Sequence, residues 1–307
     1  MLSARKKLIL LKTETTYGTD AAPGATNAML ASNVSITPLE AETVSRDLIK
    51  PHMGADQVLH VGEHISITFS VENQSSGTAG TAPAFSPALR AAGMLETVEA
   101  DNVAYTPRSD GFESCTVYFY MDSVLHKAVG VRGTFGFGYE PKGLSRLNFT
   151  MLGLYAGPVT GAMPTPDWTA WKNPLPVGPA NTSAFQLHGF DGIAHKLDIE
   201  AGFTNEFFQT LTTEEIRMSD RSGSGSVTID APALADINFI ERVRTNQMGN
   251  LTLSHGKTAG SIVELAAPNV QLLTPKYGEA SGITTMEMGF NLVPTAAGND
   301  EFSLIYR

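Results

Sequence analysis

The stretch 34–72, VSITPLEAETVSRDLIKPHMGADQVLHVGEHISITFSVE, constrains the fold of this chain more than any other. Apolar residues alternate at Val34 and Ile36 and again at Ile65, Ile67, Phe69 and Val71, with a Pro-His-Met-Gly tip at 51–54 between them. A period of two predicts two long strands joined by a turn. Two strands cannot bury an apolar face alone, so this hairpin needs partner strands from elsewhere.

The pattern returns in the second half. Leu197 and Ile199 repeat Val34 and Ile36, and Val227 and Ile229 repeat Ile65 and Ile67. Gly282, Met286, Met288 and Phe290 reproduce the spacing of Gly143, Leu147, Phe149 and Met151. A short helix is expected after each hairpin. The first has Ser86 as N-cap, Pro87 at the first helical position, Leu89 and Ala92 inward and Gly93 as the stop; the second has Asp236 as N-cap, Ile237, Ile240 and Val243 on one face and Gly249 as terminator. Order and spacing, rather than residue identity, predict a mainly β chain of two tandem structural copies. The expected boundaries are 1–157 for the first unit with its amino-terminal arm, 158–183 for a linker, and 184–307 for the second unit.

Between these landmarks, strands are expected at 115–121, 134–139, 147–151, 251–254, 263–265 and 270–274. Gly130, Gly133, Gly136 and Gly138 alternate with packing residues Phe135, Phe137 and Tyr139, which suits a bent or closely approached strand rather than a phosphate loop. Pro158, Pro164, Pro166, Pro174, Pro176 and Pro179 make the linker stiff, and it carries Trp168 and Trp171. Those rings suit either pinning the linker against a domain or stacking on a sugar.

A chain of 307 residues with 42% hydrophobic residues can bury substantial cores. Leu8 to Leu11, behind Arg5, Lys6 and Lys7, is too short for a signal-peptide core or a membrane span. A soluble chain made in the cytoplasm is therefore expected, and the single cysteine, Cys115, suits a reducing compartment and a packed strand position. The net charge of −10 argues against wrapping nucleic acid as a ligand. Nearly all of that excess lies in the two hairpins, a net −4 over 34–72 and −5 over 197–230; the acids that stand out there are Glu40, Glu42, Asp47, Asp56 and Glu63 in the first and Asp198, Glu200, Glu206, Glu214 and Asp220 in the second. These acids either solvate exposed strands or line a surface that repels a polyanion such as duplex DNA.

Motifs for catalysis are missing: there is no GxSxG, GxxxxGK[ST], HExxH or CxxC. His60 and His64 are spaced like a helical metal pair, but on a strand four residues span roughly 13 Å, too far for two ligands of one zinc. The adjacent Glu214 and Glu215 point to opposite strand faces, a poor start for paired acid–base work. No enzyme activity and no cofactor are expected.

The segments KTETTYGTD at 12–20 and NVSITPLEAETVSRDLIKPHMG at 33–54 resemble the opening of the major tail tube proteins of long-tailed, non-contractile bacteriophages and related prophages. The resemblance is strongest over residues 1–72. It implies two tandem tail-tube-type β-sandwich or barrel units, each lending a long hairpin to a wall completed by neighbouring subunits. It further implies trimeric rings of quasi-sixfold symmetry, a closed barrel of about 24 strands, and stacking into a tube in the virion tail. Partners would be copies of the chain itself, a tape measure protein and tail tip or terminator proteins, with DNA passing through unbound and no membrane involved. On this reading those ten hairpin acids face the lumen, while Arg5, Lys6 and Lys7 in the amino-terminal arm, with the loop 74–84 and the linker, make contacts between rings. The alternatives are a β-sandwich adhesin or carbohydrate-binding module using Trp168, Trp171 and Tyr155, or another virion ring protein such as a terminator or decoration protein.

Overall fold

The computed structural model describes residues 3 and 5–307. In chain order the strands are β1 (Lys7–Thr13), β2 (Ala28–Met29), β3 (Ala31–Val44), β4 (Leu59–Glu72), β5 (Met94–Val98), β6 (Val103–Pro107), β7 (Cys115–Met121), β8 (Val124–Tyr139), β9 (Arg146–Thr160) and β10 (Thr182–Leu187). They continue as β11 (Ala194–Glu200), β12 (Phe203–Gln209), β13 (Glu214–Arg221), β14 (Ser224–Asp230), β15 (Met248–His255), β16 (Val263–Leu272), β17 (Lys276–Ala280), β18 (Ile283–Leu292) and β19 (Ser303–Tyr306). Two short helices, α1 (Ser86–Ala91) and α2 (Phe239–Arg244), complete a mainly β molecule.

One antiparallel layer runs through both halves in the order β3, β4, β9, β8, β11, β14, β18, β17. Its alternation sends Ile65, Ile67, Phe69 and Val71, then Leu147, Phe149 and Met151, then Phe135, Phe137 and Tyr139 into the interior. Leu197, Ile199, Val227, Ile229, Met286, Met288 and Phe290 continue that buried row through the second half. The other layer stacks β1 on β2 and β7, and sets β5, β6, β19, β16, β15 and β10 side by side. Between the layers the side chains of both halves form one continuous core, with Phe85, Ala88 and Leu89 of the α1 region plugging the first half. The C-terminal strand β19 ties the halves together, pairing with β16 on one side and β6 on the other.

The strand order β3-β4-β9-β8 recurs as β11-β14-β18-β17, and pairing fixes which positions correspond. Leu147 stands between Val71 and Phe137, as Met286 stands between Ile229 and Tyr277. Ile36 stands opposite Ile67, as Ile199 stands opposite Gly225. Val227 and Ile229 therefore correspond to Phe69 and Val71, not to Ile65 and Ile67 as their spacing suggests. The reason lies at the tips: 45–58 joins the strands of the first hairpin, whereas only 210–213 joins those of the second.

Several local expectations change. The amino-terminal segment is no free arm, because β1 pairs with β7 along its whole length and Leu8, Ile9, Leu10 and Leu11 are all buried. Phe85, rather than Ser86, occupies the N-cap of α1. Asn238, not Asp236, caps α2 by accepting from the Glu241 N–H at 3.0 Å; Thr245 ends that helix, and Gly249 lies inside β15. The apolar runs 263–265 and 270–274 are parts of one stretch, because β16 covers both up to Leu272. The greater length of the first half between hairpin and last strand is taken up partly by the β5–β6 hairpin.

Candidate functional site

The outward face of the long layer is lined with short polar groups. Ser35 and Thr37, Ser66 and Thr68, Asn148 and Thr150, and Ser226 and Thr228 alternate with the buried residues named above. Glu72, Asp198, Glu200, Asp230 and Glu287 outnumber Arg146, Lys196 and Lys276 on it, so it is mildly acidic with few free cations to hold phosphate. Gly136 and Gly138 let two carboxylates lie flat across the neighbouring strand. A Cβ at Gly136 would meet the Glu200 carboxylate at 2.2 Å, and one at Gly138 would meet Asp198 Oδ1 at 2.4 Å. Burial, with the Asp198 charge beside it, raises the Glu200 carboxyl above its ordinary value.

The halves meet at a built joint. β11 pairs with β8 in the register Leu197–Tyr139, Asp198–Gly138, Ile199–Phe137 and Glu200–Gly136. Beyond Glu200 the second hairpin continues as the two-stranded β12–β13 arm, which packs over β8, β9 and β4 of the first half. The KTETTYGTD segment receives it. Glu14 is buried and accepts from the Ser114 and Thr116 hydroxyls at 2.6 and 2.8 Å and from the Gly18 and Gly130 N–H groups at 2.9 and 2.8 Å, which locks the turn. Tyr17 then accepts the Ile216 N–H at 2.6 Å, and Arg132 donates to the Ile216 carbonyl at 2.8 Å while its guanidinium lies 4.6 Å from the Tyr17 ring centre. At the arm's base the Phe203 ring fills the space above Gly93, where a Cβ would come within 2.5 Å of it; Gly93 also has φ +82°, which favours glycine. Near the tip Phe207 stacks on His64 at 5.1 Å. In the sequence, Glu14, Tyr17 and Asp20 set among small turn residues are the only trace of this clamp.

At the other ends of the layer, among the described residues, β3 pairs only with β4 and β17 only with β18, so each presents an open edge. Apolar side chains crowd there. Tyr277 is 64% exposed, although its counterpart Phe137 is 3% exposed. Val34 and Ile36 are half-buried, while Leu197 and Ile199, covered by β8, are buried. The outer half of the first hairpin exposes Leu39, Val44, Leu59 and Val61, and its tip exposes Leu48, Ile49 and Met53.

The acids singled out from the sequence are dispersed. Asp198 and Glu200 lie on the polar face, with Asp198 paired to Lys196 at 2.6 Å. Glu40, Glu42 and Glu63 sit on the outer half of the first hairpin, where Glu40 meets His64 Nε2 at 3.2 Å. Asp47 and Asp56 belong to its tip, and Glu206, Glu214 and Asp220 to the β12–β13 arm. Arg5, Lys6 and Lys7 are exposed at the start of β1, Lys6 lying 3.9 Å from Asp122. Trp171 donates its indole N–H to the Ala28 carbonyl at 3.0 Å and tilts against Phe85, so its ring belongs to the core rather than to a stacking platform with Trp168. Among the described residues, no group of three or more His, Cys, Asp or Glu is placed to hold a metal ion, and no helix is long and apolar enough to cross a membrane.

A family model described as "Phage tail tube protein" matches residues 4–287. No curated protein matches the chain.

Proposed function

Because this chain belongs to the phage tail tube protein family, a structural component of the virion tail, we propose that it forms the repeating wall of the tube, with each chain supplying two copies of the wall unit. Three chains close one ring of quasi-sixfold symmetry, rings stack, and the polar face of the long layer becomes the lumen through which DNA passes on ejection into the host. One observation carries this reading: a layer built twice over in the same strand order is already joined within the chain and ends at both sides in open, apolar-flanked edges. Open edges of this length favour aggregation in a free chain, and closure through copies removes them.

The face suits a conduit. Hydroxyl and amide groups keep it wetted, and the carboxylates of Asp198 and Glu200 disfavour lingering contact with phosphates. A tape measure protein within the lumen and terminator and tip proteins at the two ends are the partners such a tube requires. Stacking contacts are assigned to the exposed segments, including the first-hairpin tip, the linker and Arg5, Lys6 and Lys7. Negative-stain micrographs of the purified chain at high concentration are expected to show stacked rings; dispersed single particles at every concentration would contradict the proposal.

A further inference from the structure

Resting on the tube reading above, we infer that the joint inside the chain is the template for the joint between chains, so that β17 of one copy pairs antiparallel with β3 of the next with Lys276 opposite Thr37, Tyr277 opposite Ile36 and Gly278 opposite Ser35. The partner for these edges is thus a second copy of this chain, held in one register.

The register follows from the pairing network. Within the chain Gly136, Phe137 and Gly138 of β8 face Glu200, Ile199 and Asp198 of β11. On the β11 side, Leu197 and Ile199 occupy the places that Val34 and Ile36 hold in the first half, so Asp198 and Glu200 correspond to Ser35 and Thr37. On the β8 side, Phe137 and Tyr277 correspond because each faces the matching residue of the next strand, Leu147 or Met286. Gly136 and Gly138, facing Asn148 and Arg146, correspond to Lys276 and Gly278, facing Glu287 and Thr285. Transferring the first joint onto the two open edges leaves a single register.

Burial supports the transfer independently. The Phe137 and Ile199 side chains are both buried because each covers the other's flank, whereas Tyr277 and Ile36 lack such a neighbour in the free chain. The hairpin arms carry the same signature. Leu59 stands opposite Val44 as Ile216 stands opposite Phe207, yet Ile216 is 0% exposed beneath the first half and Leu59 is 48% exposed. A copy seated on β3 in this register brings its second half beneath that arm. A shift of one residue instead turns Tyr277 to the polar face and leaves Ile36 uncovered.

The test is disulfide trapping in assembled protein. Chains carrying Thr37→Cys with Lys276→Cys, or Ser35→Cys with Gly278→Cys, are assembled under reducing conditions, checked by negative stain and then oxidised. Directly opposed residues on paired strands lie within disulfide reach, and buried Cys115 stays out of the reaction. Both pairs are expected to give covalent dimers and trimers and nothing larger on a non-reducing gel. Thr37→Cys with Ala280→Cys, four residues out of register and roughly 13 Å apart, is expected to stay monomeric. Tubes that form while neither matched pair cross-links, or while the mismatched pair links as well, overturn the register but leave the tube reading standing. Chains that neither link nor assemble overturn both.

Discussion

Tyr17 shows how much one hydroxyl holds. It accepts the Ile216 N–H and supports the Arg132 guanidinium that binds the Ile216 carbonyl, so the arm of the second half hangs on a residue near the start of the chain. Tyr17→Phe keeps the ring and leaves that N–H unpaired, at a cost of about 1–3 kcal/mol, and urea denaturation is expected to show the loss without a change in slope. Glu200 tests the polar face. Its carboxyl is raised by burial first and by Asp198 second, so the stability tied to it is fully present below its unfolded value of about 4.3 and is lost as pH rises through the folded value. Glu200→Gln removes that loss: thermal unfolding at neutral pH is expected to be higher than in the native chain, with the gap closing toward about pH 4. A gap that widens on acidification would contradict the assignment. At this scale the sequence was a poor guide to the site, because charge counted along a hairpin does not tell which half of it lies in the main layer. Asp198 and Glu200 fall in that half, whereas Glu206, Glu214 and Asp220 lie on the arm beyond it.

Strand β1 carries the sharpest revision among the elements. Leu8 to Leu11 is buried on both faces, Ile9 and Leu11 in the main core and Leu8 and Leu10 in a smaller cluster with Tyr118 and Tyr120. Each such side chain contributes about 1.5–3 kcal/mol on burial, and four together rival the whole stability of an ordinary domain, about 5–15 kcal/mol. Deleting residues 1–13 is therefore expected to abolish cooperative unfolding as followed by circular dichroism, not merely to shorten tubes. Period-two alternation located both hairpins, and the closely approached glycines read correctly as packing sites, because both signals are local. A run of four apolar residues carries no period, so a strand buried on both faces looked like the root of an arm. Tip lengths were illegible for a related reason: 45–58 and 210–213 hold no core residue to mark their ends.

The whole molecule is one body in which both halves share a core, the arm of the second half is clamped at Tyr17 of the first, and β19 stitches the two together. The repeat of strand order was legible in outline from spacing alone. The way one half grips the other was not, because it depends on contacts far apart in the chain, such as Phe203 over Gly93. That grip explains why the edges left over are so apolar: each is half of a joint already made once inside the chain. The most direct measurement is the rotational symmetry of tube cross-sections by cryo-electron microscopy. Strict threefold symmetry is expected, with three chains per ring and six similar wall segments alternating in detail. A ring of six whole chains, or neighbouring chains meeting through any strands other than β17 and β3, would contradict it.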